Sequence, residues 1–219
     1  MPQEQYKDFW LFIRLLADNA LLEHVIVIGS WAEYLYAQAG ILPDYDANLR
    51  TLDIDFLIKN LRRPTPKANI SSLARDAGYT VDNDLLTGTT KIYTPGLMEI
   101  EFLISQQGAG DSPMLKTNLG INAQALRHLA VLRDNTIIAE FLDMKITVPV
   151  PEAYALHKIT INAQRGRKQE KDRLAILHIL PYLNKERMAS IYGSLTKKEK
   201  ATVQEFFEEN QLDSNFLTQ

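Results

Sequence analysis

Cysteine is absent from the 219 residues, so the chain has no disulfide framework and no thiolate-based metal site. It also lacks any apolar run approaching the ~20 residues that span a bilayer. The opening Met1-Pro2-Gln3-Glu4-Gln5 has neither the basic start nor the apolar stretch of a secretory signal. These absences give the expectation of a cytoplasmic chain with no membrane partner. Basic charge is not in excess either, with 24 Lys and Arg against 27 Asp and Glu and a net charge of −3. That argues against broad, nonspecific binding of long nucleic acid, which needs a basic surface. Repeats and low-complexity segments are missing too. What is left is 46% hydrophobic and 23% charged, the balance of a globular protein able to bury a substantial core.

The most informative stretch is Thr51-Leu52-Asp53-Ile54-Asp55-Phe56-Leu57-Ile58. It alternates with period 2, placing Leu52, Ile54, Phe56 and Ile58 on one strand face and Thr51, Asp53, Asp55 and Leu57 on the other. Both carboxylates therefore emerge on the same side, their Cα atoms about 6.6 Å apart at ~3.3 Å per residue. In a strand this apolar, two unpaired acids are expensive and call for a cation. Oxygen donors of this kind suit Mg²⁺, which is held by one or two carboxylates and completed by substrate phosphates and water. The plainer reading is a pair of acids facing solvent on a half-exposed sheet.

Upstream, His24-Val25-Ile26-Val27-Ile28 reads as a strand and Trp31 to Gln38 as a helix, with Gly29-Ser30 as the turn between them. Glycine lets a phosphate approach the backbone, Ser30 is a candidate N-cap, and a helix N-terminus favours an anion. An ordinary capped turn would look the same. Downstream, Leu97-Met98-Glu99-Ile100-Glu101-Phe102-Leu103-Ile104 repeats the alternation, with Glu99, Glu101 and Leu103 sharing a face. A third carboxylate on a neighbouring strand would complete a site for two Mg²⁺ ions, an arrangement suited to in-line displacement at phosphorus.

Gly29-Ser30 at a strand–helix turn, then Asp53-x-Asp55, then an apolar-Glu-apolar strand, resembles the nucleotidyltransferase superfamily that includes DNA polymerase beta. Within it, Gly-Ser-x-Ala-Glu-Tyr-Leu-Tyr and Asp-Ile-Asp-Phe-Leu-Ile are similar to a bacterial group of small nucleotidyltransferase-like proteins. Val148 to Lys158 and Lys168 to Asp172 resemble the helical segments of that group and of the related toxin-type nucleotidyltransferases. The likeness covers roughly residues 24–180. It implies transfer of an NMP from an NTP to a hydroxyl acceptor, with release of pyrophosphate. Asp53, Asp55 and Glu101 would hold the metals, Glu101 also serving the acceptor and its proton, with Glu99 in reserve. Gly29 and Ser30 would grip phosphate, Lys158 would neutralise the triphosphate, and Asp172 would orient a lysine or the nucleotide. A tRNA 3′ end (the toxin-type option), a protein hydroxyl or a small molecule are the acceptors the resemblance leaves open. One departure stands out: the third acid of the superfamily is often Asp, and here it is Glu. The alternative is therefore a catalytically inactive nucleotide-binding or regulatory protein on the same fold.

Residues 158–173 hold six basic side chains (Lys158, Arg165, Arg167, Lys168, Lys171, Arg173) against Glu170 and Asp172, a local +4. Such a patch opposite an acidic metal site suits Mg-triphosphate; a solvated helix face with i,i+4 pairs is the other reading. The four histidines have no paired spacing and read as surface or packing residues, and Trp10 and Trp31 read as core. Helices are expected over 3–21, 31–39, 68–77, 122–132, 152–164, 168–182, 184–192 and 197–209. Strands are expected over 24–29, 51–58, 79–82, 89–93 and 97–104, with a hairpin over 136–142 and 145–150 and a glycine-bearing loop at 105–113. This is an α/β (α+β) pattern: a mixed-sheet nucleotidyltransferase-like core at 1–150 and a C-terminal helical part at 151–219.

Overall fold

The computed structural model describes residues 6–47, 49, 51, 53–106 and 114–218. Helix α1 (Lys7–Asp18) buries Phe9, Trp10, Phe12, Ile13 and Leu16, a stripe at helical spacing. Strand β1 (Val25–Ile28) is buried along its whole length and runs into helix α2 (Ser30–Gln38). Strand β2 (Asp53–Ile58), helix α3 (Ile70–Asp76) and strands β3 (Thr80–Asn83), β4 (Thr90–Tyr93) and β5 (Glu99–Ser105) follow. Next come β6 (Met114–Lys116), β7 (Asn122–Leu126), the short helix α4 (Ala130–Asp134), β8 (Thr136–Phe141) and β9 (Met144–Pro149). The chain ends in helices α5 (Pro151–Asn162), α6 (Gln169–Ile179), α7 (Lys185–Ser194) and α8 (Lys197–Glu209).

The main sheet is mixed and runs β1-β2-β5-β4-β3. β1 lies antiparallel to β2, and β2 parallel to β5. The other edge of β5 is divided: β4 pairs antiparallel along Glu99 to Glu101, and β7 pairs parallel along Leu103 to Ser105. β8 and β9 form a separate hairpin. Its turn residues Leu142 and Asp143 both have positive φ, 49° and 59°, as a two-residue turn matched to strand twist requires. The turn thus sits one residue earlier than the Asp143-Met144 expected.

One expected element is of the wrong kind. The helix expected over 122–132 is strand β7 followed by α4. Asn-Ala-Gln-Ala-Leu has no strong β preference; it is extended because it bonds β5 on one side and β6 on the other, a case of tertiary context overriding propensity. The residues of the expected 105–113 loop from 107 on, the opening 1–5, and Leu52 lie outside the described residues.

The sheet's two faces are packed unequally. Ile54, Phe56, Ile100 and Phe102 point into the main core with Phe12 and Ile92, and that core continues without a break to Leu156 and Ile159 in α5, Ile176 in α6 and Phe206 in α8. Among the described residues the opposite face carries only a small cluster, Ile26, Ile28, Leu57, Leu103, Leu129 and Leu132. Beyond it, toward the N-terminal ends of β2 and β5, that face is acidic. Among the described residues no helix is long and apolar enough to cross a membrane.

Candidate active site

The acidic face is set by strand register. Parallel pairing puts Asp53 beside Glu99 and Asp55 beside Glu101, so four carboxylates occupy one face of two adjacent strands about 4.8 Å apart. Among the described residues neither Asp53 nor Asp55 has a salt-bridge partner, although both are only partly exposed. Burial, with the charges of Glu101 and Asp53 beside it, pushes the Asp55 carboxyl up to about 6; Arg165 and Lys168 pull it only part of the way back. The start of β2 is pinned from behind, where the buried Trp31 indole donates a 2.9 Å hydrogen bond to the Asp53 carbonyl. Trp31 is itself stacked on Phe9, centroids 4.0 Å apart. It is core, as expected, but core that holds the acid strand in place.

Gly29 meets this face through the β1–β2 ladder, in which Ile28 pairs with Asp55. Its φ of 68° and ψ of −154° lie in a region only glycine enters readily. A Cβ there would stand 2.8 Å from Asp55 Oδ2. Glycine is thus needed twice, for the turn and for the carboxylate against it. The structure corrects one expectation here: Gly29 is the N-cap of α2 and Ser30 the first helical residue, with no side-chain cap bond. What the turn offers an anion is backbone N–H groups at a helix N-terminus, of which that of Ala32 already donates to the Gly29 carbonyl.

A cavity of about 520 Å³ gathers Gly29, Asp53, Asp55 and Glu101 on one wall and Lys158, Arg165, Lys168 and Asp172 on the other. Seven of the eight expected site residues, counting the reserve Glu99, are Gly29, Asp53, Asp55, Glu101, Lys158, Asp172 and Ser30; the first six line this cavity, while Ser30 lines a larger neighbouring one that also reaches Lys158. Glu99, the eighth, is not in the lining of the carboxylate cavity. The basic wall comes from α5 and from the turn leading into α6, where Arg165 and Lys168 are exposed.

Lys158 is already paired. Its Nζ lies 3.3 Å from Glu33 Oε1 and 3.4 Å from Asp172 Oδ1, with the side chain 13% exposed. Arg165 Nε closes the chain 2.9 Å from Asp172 Oδ2. Glu33 in turn accepts hydrogen bonds from the Tyr45 and Tyr154 hydroxyls. Burial and the Glu33 charge push both phenols up, so they remain protonated donors. Asp172 therefore holds a lysine, whereas that lysine has its charge met before any ligand arrives.

Several functional side chains escaped the sequence reading. Glu33 shows only as a helical acid in sequence, yet it is buried. Lys91 on β4 faces Glu101 in the β4–β5 ladder and bonds both Glu99 and Glu101. Two histidines read as surface or packing residues, His128 and His157, line the carboxylate cavity. His128 Nδ1 lies 2.7 Å from Glu199 Oε1, a residue that also closes the capping box of α8. Burial, with His128, Arg165 and Lys158 nearby, pushes His157 down to about 3, so it is neutral at physiological pH. Strand pairing could have suggested Lys91; the others depend on helix packing that has no local signature.

Among the described residues no three His, Asp or Glu side chains already converge as a ligand set. The chemistry of Asp53 and Asp55 nevertheless fits one hard cation. They are oxygen donors without salt-bridge partners among the described residues, and burial with the Glu101 and Asp53 charges raises the Asp55 carboxyl by more than Arg165 and Lys168 lower it.

The fold is shared with solved structures. The structure of an antigenic nucleotidyltransferase-like protein from Paracoccidioides brasiliensis is similar at 14% identity and a TM-score of 0.53, over 96% of this chain and 92% of that one. The solution structure of the antibiotic-resistance factor ANT(2'')-Ia is similar at 10% identity and a TM-score of 0.44, over 96% and 95%. No curated protein matches the sequence. The sequence adds the second step: a nucleotidyltransferase family model matches residues 9–197, and the chain belongs to that family.

Proposed function

We propose that the chain is a divalent-metal-dependent nucleotidyltransferase that moves an NMP from an NTP to a hydroxyl acceptor and releases pyrophosphate. The observation that carries this reading is the single cavity with the Gly29 turn and three acids on one wall and cationic side chains on the other. Asp53 and Asp55 would hold the cation, here taken as Mg²⁺. When bound, it would supply charge neutralisation at the phosphates and make a nearby hydroxyl more acidic.

The chain's own residues would do the rest. Backbone N–H groups at Gly29, Ser30 and the start of α2 would hold phosphate. Arg165 and Lys168, exposed on the opposite wall, would meet the β and γ charges, with Lys158 behind them as a fixed positive centre between Glu33 and Asp172. Glu101, beside Asp55, would accept the proton of the acceptor hydroxyl; its place in the cavity lining favours it over Glu99. Most of the rate would come from positioning and preorganised charge. In this division residues 1–150 supply the acids and the turn, and residues 151–219 supply the cationic wall. A tRNA, a protein and a small molecule all remain acceptors to test.

The test is incubation of the protein with Mg²⁺, each labelled NTP and a cell extract, following pyrophosphate release and the molecule that becomes labelled. Labelling that depends on Asp53 supports the reading. Nucleotide binding without pyrophosphate release under any acceptor supports the second reading, a binding protein without turnover, which the ion pair between Lys91 and Glu101 favours.

A further inference from the structure

We infer that Lys91 stands in for a second metal ion, so that this site takes one divalent cation, on Asp53 and Asp55, rather than two. The inference rests on the proposed metal-dependent reading and deepens it. A carboxylate face of this size is where a pair of ions would be looked for. The four acids, however, are not equivalent. β4 runs antiparallel to β5 with Lys91 directly opposite Glu101, on the face that Glu99 and Glu101 share.

The Lys91 ammonium lies 3.0 Å from Glu101 Oε1 and bonds Glu99 Oε1 as well. Its side chain is 26% exposed, and those of Glu99 and Glu101 are 27% and 33%. All three are therefore partly withdrawn from water, where a charge-assisted pair is stronger than on an open surface. Hydrogen bonds to both glutamates push the Lys91 ammonium further up from its ordinary value, so its charge is permanent at any physiological pH.

A second ion at Glu101 would have to displace this ammonium or sit beside it. Displacement costs two ion-pair contacts, and adjacency sets two cations a few ångströms apart. Neither penalty applies at Asp53 and Asp55, which have no salt-bridge partners among the described residues. Lys91 is thus a positioning residue: it holds Glu101 and supplies from the protein the positive charge that a second ion would bring.

The experiment is a count of bound metal. Mn²⁺ is titrated into wild type and Lys91→Met with a nonhydrolysable NTP analogue present, free Mn²⁺ is read by electron paramagnetic resonance, and folding is checked by circular dichroism. One ion attributable to the protein–nucleotide complex is expected for wild type and two for Lys91→Met. Two ions on wild type, or one on a folded Lys91→Met, overturns the inference. If Lys91→Met fails to fold, the wild-type count alone still decides. No protein-dependent Mn²⁺ binding by wild type, or binding unchanged in Asp53→Asn, overturns the metal-dependent function itself and is thereby distinguishable.

Discussion

Two charged clusters face each other across the cleft, and they are built on opposite principles. In one, Glu33, Lys158, Asp172 and Arg165 alternate in sign and every member has a partner within 3.5 Å. In the other, Asp53 and Asp55 stand side by side with no ion partner among the described residues, and one has its carboxyl raised to about 6. Paired buried charges hold helices where they are; removing one member strands the rest. Unpaired like charges are retained at a cost to the stability of the native state. The contrast separates scaffold from proposed reaction site more sharply than burial does, since Asp172 is more deeply buried than either Asp53 or Asp55.

The strongest way to break this contrast is to remove the unpaired acids. Asp53→Ala or Asp55→Ala should lower transfer by about a thousandfold or more, beyond the usual loss of one preorganised electrostatic partner, while the circular dichroism spectrum stays that of wild type. Near-wild-type turnover in either variant would return both acids to the surface.

The paired cluster should behave inversely. Lys158→Met leaves Glu33 and Asp172 facing each other and should cost about 3–5 kcal/mol in urea unfolding, as expected for breaking a buried pair. A loss below about 1 kcal/mol would mean that Lys158 is held loosely enough to serve a phosphate directly.

Stability against pH sharpens the comparison at Asp55. Its carboxyl in the fold sits at about 6 against an ordinary 3.8, so the folded state binds the proton more tightly than the unfolded one. Without a cation, this group's contribution to stability is therefore lost as pH rises from about 4 through 6. Asp55→Asn should melt higher than wild type at pH 7.5, by an amount of order 1–3 kcal/mol, and no differently at pH 4. Mg²⁺ should narrow the gap by stabilising wild type alone. A lower melting point for Asp55→Asn at pH 7.5 would contradict the assignment.

The smallest effect belongs to the exposed wall. Lys168→Ala should weaken NTP binding about fivefold, ~1 kcal/mol for a solvent-screened contact, and NMP binding less, because the β and γ charges are what it meets. Calorimetric titrations with equal losses for both ligands would take Lys168 out of the site.

What could be read from sequence follows from range. Asp53 and Asp55 share a face because strand periodicity is local, and Gly29 follows from a strand-to-helix change within a few residues. The core strands and most helices were legible for the same reason. Lys91 and Glu33 were not. Lys91 gains its role from β4 pairing with a strand eight residues on, and Glu33 from Tyr154 and Lys158, more than 120 residues away. β7 was misread because its pairing partners, not its composition, make it extended. Ser30 was misplaced by one position at the helix start, where glycine already served as cap.

The β1–β2 ladder that seats Gly29 against Asp55 also bears on how the chain finds its fold. A slip of one residue in β2 would exchange its two faces. Asp53 and Asp55 would then enter the layer now filled by Ile54 and Phe56 beside Phe12 and Phe102, where two uncompensated charges are far more costly than on the open face. The acids that burden the native state therefore burden its nearest competitor much more, and the residues proposed to bind the metal also select the strand register.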